Sequence, residues 1–107
     1  MTKEAPLKKV KTREQLLTIL RQCKHELGEK YGVLDIAVFG SYAHDAQVRR
    51  SDIDIFVELA PSRKTFDNYM ELKFFLQRKT GGRVDLVLKE SLREELKPAI
   101  LKEALHA

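Results

Sequence analysis

One cysteine, Cys23, is all that the 107 residues offer toward disulfide chemistry, and a lone thiol closes no internal bridge. It falls on the apolar face of a predicted helix, where it reads as a small core residue and not a reactive thiol. Apolar runs are short, as in Ile36-Ala37-Val38-Phe39. No stretch approaches the about 18 apolar residues of a membrane span. The first residues, Met1-Thr2-Lys3-Glu4, have no apolar centre of a secretory signal. No repeat, linker or low-complexity segment divides the chain. These absences set an expectation of one domain in a reducing cytoplasm, away from membranes. A composition of 43% hydrophobic and 34% charged residues supports a modest core under a charged surface and excludes disorder.

The net charge of +4 is localised. Lys3, Lys8, Lys9, Lys11 and Arg13 face only Glu4 within residues 1–13, and the remaining acids and bases balance. The basic character is therefore that of a tail, expected over residues 1–11 as a flexible segment before a domain at 12–107. Such a tail can contact nucleic-acid phosphates, but a neutral body carries no broad footprint for DNA or RNA.

Thr12-Arg13-Glu14-Gln15 has the form of a capping box, and Leu16, Leu17, Leu20, Cys23 and Leu27 follow at helical spacing. A helix is predicted from about 13 to 30, ending near Tyr31-Gly32. Val33 to Phe39 is β-branched and apolar and reads as a mostly buried strand. Gly40-Ser41 breaks it, a short helix is expected over 42–46, and 47–51 is a polar loop. Residues 52–59 alternate with period two, the clearest strand signal in the chain. A helix follows over 65–79, stopped by Gly81-Gly82, then a third strand over 83–88. Ser91-Leu92-Arg93-Glu94 suggests a further capped helix, with Pro98 starting a separate short one. Three strands with helices between them predict one small sheet covered chiefly on one face.

Asp52 and Asp54 are not explained by burial. Strand residues i and i+2 share a face, roughly 6–7 Å apart. Ile53, Ile55, Val57 and Leu59 take the opposite face and can fill the core. Two neighbouring carboxylates repel unless water or a cation separates them, and a hard cation such as Mg²⁺ prefers such oxygen ligands. A solvent-facing polar stripe is the plainer alternative. If strand 83–88 lies beside strand 52–59, Asp85 converges on the same place. Three carboxylates would then hold two Mg²⁺ ions, an arrangement that clamps both oxygens of a phosphoryl-type displacement. Gly40-Ser41 supplies the complement: a strand-to-helix junction where free amides favour an anion and glycine admits a phosphate closely. Together these features describe a site for a nucleoside triphosphate and Mg²⁺.

Gly40-Ser41, ten residues, then Asp52-Ile53-Asp54 resembles the Gly-Ser-x10-Asp-x-Asp signature of the DNA polymerase beta-like nucleotidyltransferase superfamily, with Asp85 where its third carboxylate stands. The phrase Val38-Phe39-Gly40-Ser41-Tyr42-Ala43 and the ending from Leu96-Lys97-Pro98 to Lys102-Glu103-Ala104 are similar to the minimal nucleotidyltransferase branch. The likeness spans residues 15–105. It implies an α+β fold: a small mixed β-sheet with helices packed chiefly on one face. It implies that Gly40 and Ser41 bind the triphosphate of ATP, that Asp52 and Asp54 ligate both Mg²⁺ ions, and that Asp85 ligates the catalytic ion and helps deprotonate the acceptor hydroxyl. It further implies an antitoxin that adenylylates a tyrosine of a HEPN ribonuclease toxin. Asp45 departs from the pattern, standing where the family often has glycine, although aspartate tolerates a left-handed backbone better than most residues. Arg49, Arg50 and His44 could touch phosphate or partner, or be merely solvated. A chain of this size leaves no room for a second, acceptor-holding domain, so a partner protein is expected to supply the acceptor. Two other readings stay open: an antitoxin that inhibits by binding alone, and a small nucleic-acid binder using its basic tail.

Overall fold

The computed structural model describes residues 9–107. Thr12 caps the first helix, its hydroxyl accepting from the Gln15 amide at 3.1 Å. Gln15 reaches back as a capping box requires, but its carbonyl oxygen takes the amide of Lys11, one residue earlier than expected. The single helix predicted over 13–30 is two, α1 (Arg13–Gln22) and α2 (Lys24–Tyr31). They are separated by Cys23, whose ψ of −1° leaves the helical range. Leu16, Leu20, Cys23 and Leu27 are buried on both sides of the break. The apolar stripe therefore continues through it, and periodicity carries no trace of the interruption.

Four strands form one mixed sheet in the order β3-β2-β1-β4. β1 (Val33–Phe39) and β2 (Ile53–Leu59) are antiparallel, with Ala37 opposite Phe56 and Phe39 opposite Asp54. Between them lies the short α3 (Gly40–Ala43). The long α4 (Phe66–Thr80) ends at Gly81, which takes φ +75°. It returns the chain so that β3 (Val84–Leu88) runs parallel to β2, with Asp54 opposite Asp85. The α+β architecture is as expected.

Ile53, Ile55, Val57 and Leu59 of β2 pack with Ile36, Val38, Val84 and Leu86 against α1, α2 and α4, forming the main core. The opposite face is also partly covered. Ala37, Phe56 and Leu92 form a smaller apolar layer with Phe39, Val87, Ile100, Leu101 and Ala104. The capped helix expected from Ser91 does not form. Leu92 is extended (φ −63°, ψ 137°) and buried, drawn onto the sheet by its apolar side chain. Pro98 does open a helix, α5 (Lys97–Glu103). A two-residue strand missed from the sequence, β4 (Leu105–His106), then pairs with the outer edge of β1.

The basic tail expected over residues 1–11 lies mostly outside the described residues. Its last part is fixed, not loose. Val10 is 5% exposed, its amide donates to the Thr80 carbonyl, and its carbonyl accepts from the buried Tyr42 hydroxyl at 2.9 Å. An apolar residue among the lysines gives this segment a place in the core that a charge count does not reveal.

Candidate active site

Gly40 and Asp54 meet at one end of the sheet. Phe39 is paired across from Asp54, and the next residue must turn out of the strand into α3. Gly40 makes that turn at φ +70°, a conformation costly for residues with a Cβ. A methyl group there would stand 2.2 Å from Asp54 Oδ2. The backbone of the bend is therefore pressed against the carboxylate, with no side chain between them. Ser41 follows in the first turn of α3, where amides have no acceptor within the helix. Tyr42 anchors the same turn through its bond to Val10.

The parallel register sets Asp85 beside Asp54. Asp54 is half-buried while Asp52 and Asp85 are exposed. Burial, the charges of Asp85 and Asp52, and a hydrogen bond shared with Asp85 push the Asp54 carboxyl up to about 6. Asp52 has a different neighbour. The Ile53 amide donates to the Arg83 carbonyl at 2.9 Å, which lines up the entries of β2 and β3. The Arg83 guanidinium reaches Asp52 Oδ1 at 3.4 Å. Among the described residues no three His, Cys, Asp or Glu side chains gather tightly enough to hold a metal ion. The acids stand as a close pair, Asp54 and Asp85, with Asp52 beside them on Arg83.

The predicted residues Gly40, Ser41, Asp52, Asp54 and Asp85 thus lie along one strand end. The oxygen-only donor set suits a hard divalent cation. A cation there would also relieve the repulsion that raises Asp54. Asp45 holds φ +57°, so the turn survives without glycine. Its carboxylate accepts from Gln47 Nε2 at 3.2 Å. His44 is tied to Glu103 of α5 at 2.8 Å, and Arg49 and Arg50 are exposed. Two contributors were not anticipated. Arg83, at the entry of β3, is one. Lys9, part of the basic tail by charge, is the other: its amine bonds the carbonyls of Arg49 and Ser51 and holds the loop before Asp52. The signal in the sequence is the place of Arg83 two residues before Asp85, at the entry of the strand expected over 83–88.

Comparison with known proteins identifies the family. The chain belongs to the nucleotidyltransferase domain family, whose model matches residues 20–106. Within it the chain is one of the minimal nucleotidyltransferases. The protein adenylyltransferase MntA of Thermococcus cleftensis is 39% identical over 97 residues, covering 89% of this chain and 95% of that one. A candidate minimal nucleotidyltransferase of solved structure has a TM-score of 0.68 at 30% identity, covering 87% of this chain and 89% of that one. A toxin-antitoxin structure with AMP-PNP gives 0.62 at 26% identity, covering 88% and 70%.

Proposed function

We propose that this chain is a Mg²⁺-dependent protein adenylyltransferase acting in the cytoplasm. It moves AMP from ATP to a tyrosine hydroxyl of a HEPN-type ribonuclease toxin and is that toxin's antitoxin. The observation that carries this reading is the contact of the Gly40 bend with Asp54, beside Asp85. A phosphate-admitting turn and an acid pair are built into one another. The MntA relative and the toxin-antitoxin structure with AMP-PNP support a protein acceptor and an adenine nucleotide.

In this reading Asp54 and Asp85, with Asp52 drawn in from Arg83, would hold two Mg²⁺ ions. Bound there, Mg²⁺ would supply charge neutralisation for the entering and leaving oxygens. Gly40 lets the triphosphate approach the backbone, and the first amides of α3 and the Ser41 hydroxyl donate to its oxygens. Asp85, exposed at the sheet edge, faces the acceptor and takes its hydroxyl proton. The acceptor oxygen bonds the α-phosphorus as the bond to pyrophosphate breaks. The half-burial of Asp54 keeps its carboxylate in one place, so Asp54 and Asp85 are preorganised by the sheet, while Asp52 stands at the end of the preceding loop.

The test uses the full chain, a HEPN-type partner and ATP labelled at either the α- or the γ-phosphate. Label from the α-position should appear on the partner, none from the γ-position, and EDTA should prevent it. A stable but unlabelled complex would establish inhibition by binding alone.

A further inference from the structure

Arg83 is largely exposed, yet its guanidinium leans on an acid of the candidate site. It stands immediately before β3, its carbonyl accepts from the Ile53 amide, and its guanidinium reaches Asp52 at 3.4 Å. Nearby, the Lys9 amine is committed to the carbonyls of Arg49 and Ser51. Arg83 is thus a basic group in ion-pair reach of Asp52. A guanidinium and a divalent cation cannot both take the same carboxylate oxygen at close range without repelling one another.

We propose that Arg83 is a positioning residue that competes with the divalent cation for Asp52 and so sets the concentration of Mg²⁺ at which the site fills. The inference rests on the acid cluster being the cation site described above. Arg83 keeps Asp52 oriented along the strand end and makes filling of the site depend on displacing the guanidinium. Because the pair is largely exposed, the competition is modest. Its loss should tighten divalent-cation binding by about two- to fivefold, the equivalent of an exposed ion pair.

The measurement is a titration of the full-length chain with Mn²⁺, followed by electron paramagnetic resonance without nucleotide or partner. Arg83→Gln should lower the Mn²⁺ dissociation constant by that factor, and Arg83→Lys should restore wild-type behaviour. Arg50→Gln removes a positive charge from the neighbouring loop and should change it less. In label transfer, Arg83→Gln should reach half-maximal rate at lower Mg²⁺ while KM for ATP stays put. Unchanged or weaker Mn²⁺ binding in Arg83→Gln overturns the competition, as does equal tightening by Arg50→Gln. So does a lack of Mn²⁺ binding in every variant. Tightened Mn²⁺ binding without label transfer would leave this inference standing and remove the proposed reaction. Normal transfer with unaltered Mn²⁺ binding would do the reverse.

Discussion

The two faces of β2 do opposite things with one stretch of backbone. Toward α1, α2 and α4 it presents Ile53, Ile55, Val57 and Leu59, none more than 2% exposed. Toward the other side it presents Asp54, then Phe56, then Glu58. The first face gains stability by leaving water. At Asp54 the second face gives some of it back, since its carboxyl is driven up to about 6 by burial and by its acidic neighbours. The lesson is that the chemically useful face is held in place by the other. Asp54 tolerates its unfavourable setting because Ile53 and Ile55 fix the strand.

The comparison breaks most sharply at Asp54. Asp54→Asn should reduce AMP transfer by at least about 100-fold, the upper range seen when a supporting group of a metal site is lost. The α-phosphate label on the partner measures this, while circular dichroism should be unchanged. Full activity in the variant would remove Asp54 from the reaction.

Next in size, Ile55→Ala tests the opposite face. It should destabilise the domain by about 2–5 kcal/mol, as other large-to-small core changes do. Chemical denaturation measures the loss, and activity per folded molecule should survive. A cost under about 1 kcal/mol would mean that the core collapses readily around the deletion.

The third test uses proton linkage, in EDTA. The folded carboxyl of Asp54 titrates near 6 against an ordinary value of 3.8. Its protonated form is favoured by folding, so its contribution is complete below pH 4 and is lost as pH rises to about 6. After a discount for solvent screening, the loss is about 1–3 kcal/mol. Asp54→Asn should thus be more stable than wild type above pH 6, with the difference shrinking toward pH 4. A difference independent of pH would mean that neither burial nor the neighbouring acids raise Asp54.

The smallest effect concerns the anchor beneath the bend. Tyr42→Phe removes the hydroxyl that bonds the Val10 carbonyl and should cost about 1 kcal/mol. Proteolysis near residue 10 should speed up accordingly. Unchanged protection would show that Val10 is held by its apolar contacts alone.

Most elements with their own periodicity or stop signal were legible in the sequence. The alternation of 52–59, the glycines after α4 and the spacing from Gly40 to Asp54 sufficed for the strands and the ends of the site. Elements defined by distant partners were not legible. β4 is two residues long and exists because Ala37 and Val38 offer an edge. Leu92 leaves the helical path because an apolar layer on the second face receives it. The link from Arg83 to Asp52 depends on the register of two strands separated by a helix. The break at Cys23 changes one torsion and leaves the hydrophobic pattern intact.

The contact between Gly40 and Asp54 ties two positions fourteen apart in the chain into one unit of inheritance. A side chain gained at the bend would evict the carboxylate, and a bulkier residue in the strand would press on the bend. Neither position can drift alone, so this corner should be lost or kept whole as lineages diverge.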